Sequence, residues 1–176
     1  AYKDGIYDFT PVFAETKDLF AEADYVVGNL ETPVAGNDAG FTDSLFVFNT
    51  PEAFVDAVKN AGIHLVLTAN NHCLDRGIEG LKHTLEVLDE KNLAHTGTYR
   101  QMTDDPNAYC RVGDTRIGIV SYTYGTNYSG NRLLLDEQQA YMVNLLRPQQ
   151  EFYYVPKKIK KTSISALKYN VQTEKR

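Results

Sequence analysis

Ile63-His64-Leu65-Val66-Leu67-Thr68-Ala69-Asn70-Asn71-His72-Cys73-Leu74-Asp75 is an apolar run that stops in a cluster of metal-capable and proton-transferring side chains. Gly62 bounds the run in front and Asn70 behind, the pattern of a short strand buried on both faces in a parallel sheet. The polar cluster then lies at the strand's carboxyl end. Open α/β sheets bind their ligands at that rim, because the loops leaving it are exposed while the strands fix their geometry.

Working outward, Tyr25-Val26-Val27 reads as a second short strand ending in the polar turn Gly28-Asn29-Leu30-Glu31-Thr32-Pro33. Residues 11–23 form a predicted amphipathic helix through Val12, Phe13, Leu19 and Phe20, and Leu45 to Phe48 a small β excursion. Thr50 as N-cap with Pro51 in the first turn predicts a helix carrying Phe54, Val55 and Val58, closed by Gly62. Ile78, Leu81, Leu85 and Leu88 recur at helical spacing through Asn92, and Leu93 to Thr96 follow as a strand. Strand, polar turn, helix and strand recur, so the fold class is α/β with a largely parallel core. Residues 109–112 and 116–122 about Gly113-Asp114 predict a hairpin ending in a third polar loop at 123–127, and residues 136–146 a last helix.

The 176 residues are 43% hydrophobic and 23% charged, which suits one globular domain or part of a larger one. No run approaches the roughly 18 apolar residues of a membrane span, and no signal peptide is legible. Cys73 and Cys110 are too few for a disulfide framework and lack zinc spacing, so they read as two half-buried thiols. The net charge of −5 divides unevenly: residues 147–176 carry eight Lys/Arg against two Glu, a net +6, which leaves −11 for residues 1–146. An acidic body of that kind repels phosphate backbones and excludes nucleic acid as a partner. The basic segment 147–176 reads as a solvated insertion or disordered tail, or alternatively as a contact for an anionic polymer or membrane.

Asn70, Asn71, His72 and Asp75 fall within six positions after a buried strand. Carboxamide oxygen and imidazole are metal donors, and a histidine beside them can instead pass a proton to a leaving group. The alternative is local: Asn70 caps the turn, Asn71 takes a left-handed conformation and His72 stays on the surface. Glu31 gains interest from its strand end. His64 reads as a core or interface histidine, His83 as the polar side of a helix, and His95 stays undecided.

Three strings in order, Ala-Asp-Tyr-Val-Val-Gly-Asn-Leu-Glu-Thr-Pro at 23–33, Ala-Asn-Asn-His-Cys-Leu-Asp-Arg-Gly at 69–77 and Tyr-Thr-Tyr-Gly-Thr-Asn at 122–127, resemble the bacterial CapA family of capsule, or poly-γ-glutamate, biosynthesis proteins. That family is similar in fold to calcineurin-like metallophosphoesterases, a sandwich of sheets flanked by helices. The resemblance runs over residues 7–146 and implies the first half of such a domain. It implies that Glu31 and Asn71, with Asn29 a lesser candidate, approach a centre of divalent metal ions, two in the full-length protein. His72 would stand where the phosphoesterases keep the histidine that stabilises or protonates the leaving oxygen, and Asp75 would orient His72 or hold the turn.

The resemblance further implies an anionic polymer or phosphorylated substrate, membrane capsule-synthesis partners and an extracytoplasmic place in the cell envelope. Three functions are compatible with it: a metal-dependent hydrolase or transferase of capsule synthesis, a non-catalytic scaffold or binding subunit of a membrane capsule assembly, and a soluble metal-dependent phosphodiesterase. The sequence departs from the family pattern in lacking the upstream Gly-Asp strand and the later His-Trp-Gly and Gly-His-x-His strands, and in placing His64 where Asp or Asn is expected. The expectation is therefore a chain truncated at both ends, with an incomplete metal site and no activity alone.

Overall fold

The structure, a computed structural model, describes residues 2–42 and 45–147. The expected basic tail from residue 148 onward lies outside the described residues. The chain starts as a small antiparallel hairpin, β1 (Tyr2–Lys3) and β2 (Ile6–Tyr7), followed by a 3-10 turn at Thr10–Phe13 and a short helix α1 (Lys17–Ala21). One continuous helix over 11–23 was expected, and the difference has a plain cause. Val12 and Leu19 stay more than three-fifths exposed, so the apolar stripe is too thin to support an uninterrupted helix of that length.

The second predicted strand is displaced by two residues, to β3 (Val27–Asn29). Tyr25 instead stacks on His64 with ring centroids 4.9 Å apart, and the Val26 N–H donates to His64 Nδ1 at 3.0 Å. His64 is thus an exposed side chain that ties down the approach to β3, not a core histidine. Val27 is 41% exposed, so this strand is not buried on both faces. The expected β excursion at 45–48 is coil, with Leu45 and Phe46 among the most exposed apolar residues. The preceding loop is held by buried Asn49, which donates to Gly36 O and Gly40 O and accepts the Ala35 N–H.

Helix α2 (Ala53–Asn60) has Glu52 at its N-cap, two residues after the expected Thr50, whose N–H is taken by Pro33 O. Its end is as read. Gly62 adopts φ +99, and bonds from Gly62 N to Lys59 O and Ile63 N to Val58 O close the last carbonyls. The central strand β4 (Leu65–Leu67) follows, then α3 (Gly77–Glu90) and β5 (Ala94–Thr96). Strand order is β3-β4-β5, all parallel, with Asn29 level with Leu67 and Leu67 level with Thr96. Leu65 and Val66 point to opposite faces and both are buried, so the middle strand is covered on each side. Helix α3 packs against β5 and contributes Leu81, Leu85, Val87 and Leu88 to the core around Val55, Val58, Val66 and Leu74.

Beyond β5, strands β6 (Ala108–Val112) and β7 (Thr115–Ile119) form the predicted hairpin as a separate two-stranded sheet, its second strand ending three residues earlier than expected. A single helical turn, α4 (Tyr128–Asn131), lies between Asn127 and Arg132, both of positive φ. No helix spans 136–146. A 3-10 turn at Ala140–Met142 leads into extended chain, where Val143 bridges Thr98 and Leu145 bridges Thr123. Asn144 fixes that path by donating to Ser121 O and the Tyr99 hydroxyl, so tertiary pairing overrides the helical spacing of Tyr141, Leu145 and Leu146.

The result is an α/β fold with a parallel sheet flanked by helices, consistent with the calcineurin-like architecture. Among the described residues no helix is long and apolar enough to cross a membrane.

Candidate functional site

Parallel pairing of β3 with β4 brings the turns at 28–32 and 69–75 to one edge of the sheet. The Leu30 N–H continues the ladder onto Leu67 O at 3.0 Å, and Asn70 locks the two loops together. Its Nδ2 donates to Leu30 O at 2.7 Å and to Asn29 Oδ1 at 3.1 Å, while its Oδ1 accepts the His72 N–H at 3.0 Å. Asn70 therefore does cap the turn, as the local reading had it, and it also joins the loops. Asn71 does not take a left-handed conformation. It is exposed and lines an open cleft of about 470 Å³ with Asn29, Asn70, Tyr122 and Thr123.

Asn29 Nδ2 donates to Glu31 Oε2 at 3.1 Å, so both expected oxygen donors from this loop sit at the same rim, exposed to solvent. Carboxylate and carboxamide oxygens suit a hard divalent cation, which prefers oxygen ligands. The set is partial: among the described residues no three His, Cys, Asp or Glu side chains converge as a metal cage. Glu31, Asn71 and Asn29 fit a share of such a centre, and other groups would have to supply the rest.

His72 and Asp75 form a buried pair. Nδ1 of the imidazole is 2.6 Å from Asp75 Oδ2, with the His72 side chain 11% exposed and that of Asp75 fully buried. Contrary to the local reading, His72 is not a surface residue. Asp75 Oδ2 also accepts the Phe48 N–H at 2.8 Å, and Oδ1 accepts Asn127 Nδ2 at 2.9 Å. A carboxylate receiving these donors accepts from the ring as well, which assigns the hydrogen to Nδ1 and leaves Nε2 clear of Asp75. The Phe48 ring stacks on the imidazole at 4.0 Å between centroids.

Phe48 and Asn127 were not foreseen as parts of this arrangement, although the loop at 123–127 was read as a rim loop. Cys73, between His72 and Leu74, has its thiol pushed up to about 12 by burial, which disfavours the thiolate.

The family model described as bacterial capsule synthesis protein PGA_cap matches residues 1–172. The capsule biosynthesis protein CapA of Bacillus anthracis is 32% identical over 116 residues, which cover 64% of this chain and 28% of that protein. The PGA biosynthesis protein CapA of Bacillus subtilis (strain 168) is 28% identical over 115 residues, 64% of this chain and 30% of that protein. A protein of Sinorhizobium fredii designated y4sH, described as uncharacterized, is 33% identical over 93 residues, 49% of this chain and 20% of its own length. The matched region is thus less than a third of each relative. With a family match over nearly its whole length, the chain belongs to the bacterial capsule synthesis protein family PGA_cap.

Proposed function

We propose that this chain supplies the proton-transferring half, and part of the metal-binding half, of a hydrolase or transferase site serving the synthesis of an anionic capsule polymer at the cell envelope, poly-γ-glutamate being the favoured polymer. The observation that carries the reading is the buried His72–Asp75 pair, 2.6 Å apart, on the loop after β4 that also bears Asn71, with the bonded Asn29 and Glu31 on the loop at the end of the paired strand β3. Glu31 and Asn71, with Asn29 in support, are the residues that would hold a divalent cation. Such a cation supplies Lewis acidity toward a phosphoryl or acyl oxygen. Asp75 keeps the hydrogen on Nδ1, so a proton passes to or from a substrate oxygen at His72 Nε2. Asn70 holds the two loops in register.

A second reading has its own support. Because no three metal-binding side chains of the His, Cys, Asp and Glu types converge among the described residues, a non-catalytic scaffold in a membrane capsule assembly also fits. The test uses the full-length protein loaded with Mn²⁺ and the chromogenic diester bis(p-nitrophenyl) phosphate. The enzymatic reading expects stoichiometric metal, turnover, and loss of both metal and turnover in Glu31→Gln with Asn71→Ala. Absent metal and turnover, with polymer formation in cells still supported by His72→Gln, would leave the scaffold.

A further inference from the structure

We propose that Asn127 is a positioning residue for His72, acting through Asp75, which makes the loop at 123–127 part of the site's working apparatus. The inference rests on the reading of His72 as the proton-transferring group. Asp75 has no exposed side-chain surface, so its Oδ1 cannot draw a donor from bulk water. Oδ2 is already taken by the Phe48 N–H and His72 Nδ1, and Asn127 Nδ2 gives Oδ1 its donor at 2.9 Å.

The same amide nitrogen donates to Phe46 O at 2.6 Å, two residues before the ring that lies on His72. One carboxamide therefore touches both supports of the imidazole, the Asp75 that holds Nδ1 and the segment that leads into the stacking Phe48. The backbone adds to the argument. Asn127 is held at φ 55, a conformation that glycine adopts without cost and that asparagine tolerates because its short polar side chain bonds locally. Here the side chain bonds across the fold instead, to partners 52 and 81 positions away.

Loss of the Asn127 donor leaves a buried carboxylate oxygen bare, so the group rotates toward another donor, which loosens its grip on Nδ1–H and lets the Nε2–H tautomer grow. A wrong tautomer with geometry otherwise intact is severe for histidine chemistry.

The experiment takes full-length, metal-free protein labelled with ¹⁵N-histidine, with His72 assigned by its disappearance in His72→Gln. The wild type is expected to show His72 in the Nδ1–H form, and Asn127→Gly, which suits the backbone, a mixture of tautomers. On bis(p-nitrophenyl) phosphate with Mn²⁺, turnover should fall about tenfold or more with KM little changed, as for other outer-shell partners. Asn127→Ala, which likewise has no side-chain donor, should behave alike.

A folded Asn127→Gly with an unaltered His72 tautomer would overturn the proposal, and so would unfolding of both variants, which would make Asn127 a structural residue. A tautomer shift in proteins that show no turnover at all would uphold the positioning role while removing the enzymatic reading.

Discussion

Replacing His72 distinguishes its chemistry from its packing only if the replacement is chosen by volume. Alanine would remove the ring stacked on Phe48 as well as the bond to Asp75, so His72→Ala should cost about 1–3 kcal/mol of stability in addition to activity. His72→Gln keeps most of the volume. It should retain the thermal midpoint within a few degrees and abolish turnover, measured on the full-length protein by calorimetry and diester hydrolysis. Asp75→Asn turns an amide toward a pocket of donors, so a loss of roughly 2–3 kcal/mol in urea unfolding is expected.

The buried Cys73 thiol makes stability depend on pH. Its folded thiol is raised from 9.0 to about 12, so below pH 9 both states are protonated and nothing is lost. Between pH 9 and 12 the unfolded thiol ionises while the folded one does not, and stability should fall across that window. The urea midpoint should drop from pH 8 to pH 10.5 in the wild type by more than in Cys73→Ala. The contact of His72 with Asp75 was anticipated from the family resemblance, and the two lie only three positions apart. Phe48 and Asn127 were not, because they reach Asp75 from 27 and 52 positions away.

At the level of elements, periodicity read α2 and α3 well because each lays a buried stripe on the sheet: Val55 and Val58 in one, Leu81, Leu85 and Leu88 in the other. Leu88→Ala, at a site with no exposed surface, should cost about 2–5 kcal/mol, read from the urea midpoint. The same reasoning failed at 11–23, where Phe13 packs against the core but Val12 and Leu19 stay exposed, and at 136–146, where strand-like bridges to Thr98 and Thr123 won.

One glycine sits where three segments nearly touch. Gly97 has φ +114, and a Cβ there would lie 2.6 Å from Ala69 N and 2.7 Å from Ala69 Cβ. Gly97→Ala should therefore destabilise by several kcal/mol, on the order of 2–4 for combined strain and overpacking. It should also disturb the rim, because Ala69 leads directly into Asn70. The check is a pair of measurements, the urea midpoint and the amide shifts of residues 69–72, and shifts confined to 97 with stability intact would count against the argument.

For the whole molecule, apolar side chains gather on the surface around the cleft. Val120, Tyr122 and Leu146 are each more than half exposed and line it together with Asn70 and Asn71. Exposed apolar side chains grouped in this way promote association. Residues 1–176 expressed alone should self-associate, and Val120→Lys should shift the population toward monomer in light scattering.

The knot at Asp75 also sets a timetable for synthesis. His72 and Asp75 leave the ribosome almost together, but the donor to Asp75 Oδ1 is encoded 52 residues later, about 3 to 10 seconds of elongation at ordinary rates. Throughout that interval the Asp75 carboxylate has the Phe48 N–H within its reach but lacks the donor to its Oδ1. Premature termination anywhere between Asp75 and Asn127 would release a product that carries the loops at 28–32 and 69–75 with the His72–Asp75 pair held on one side alone.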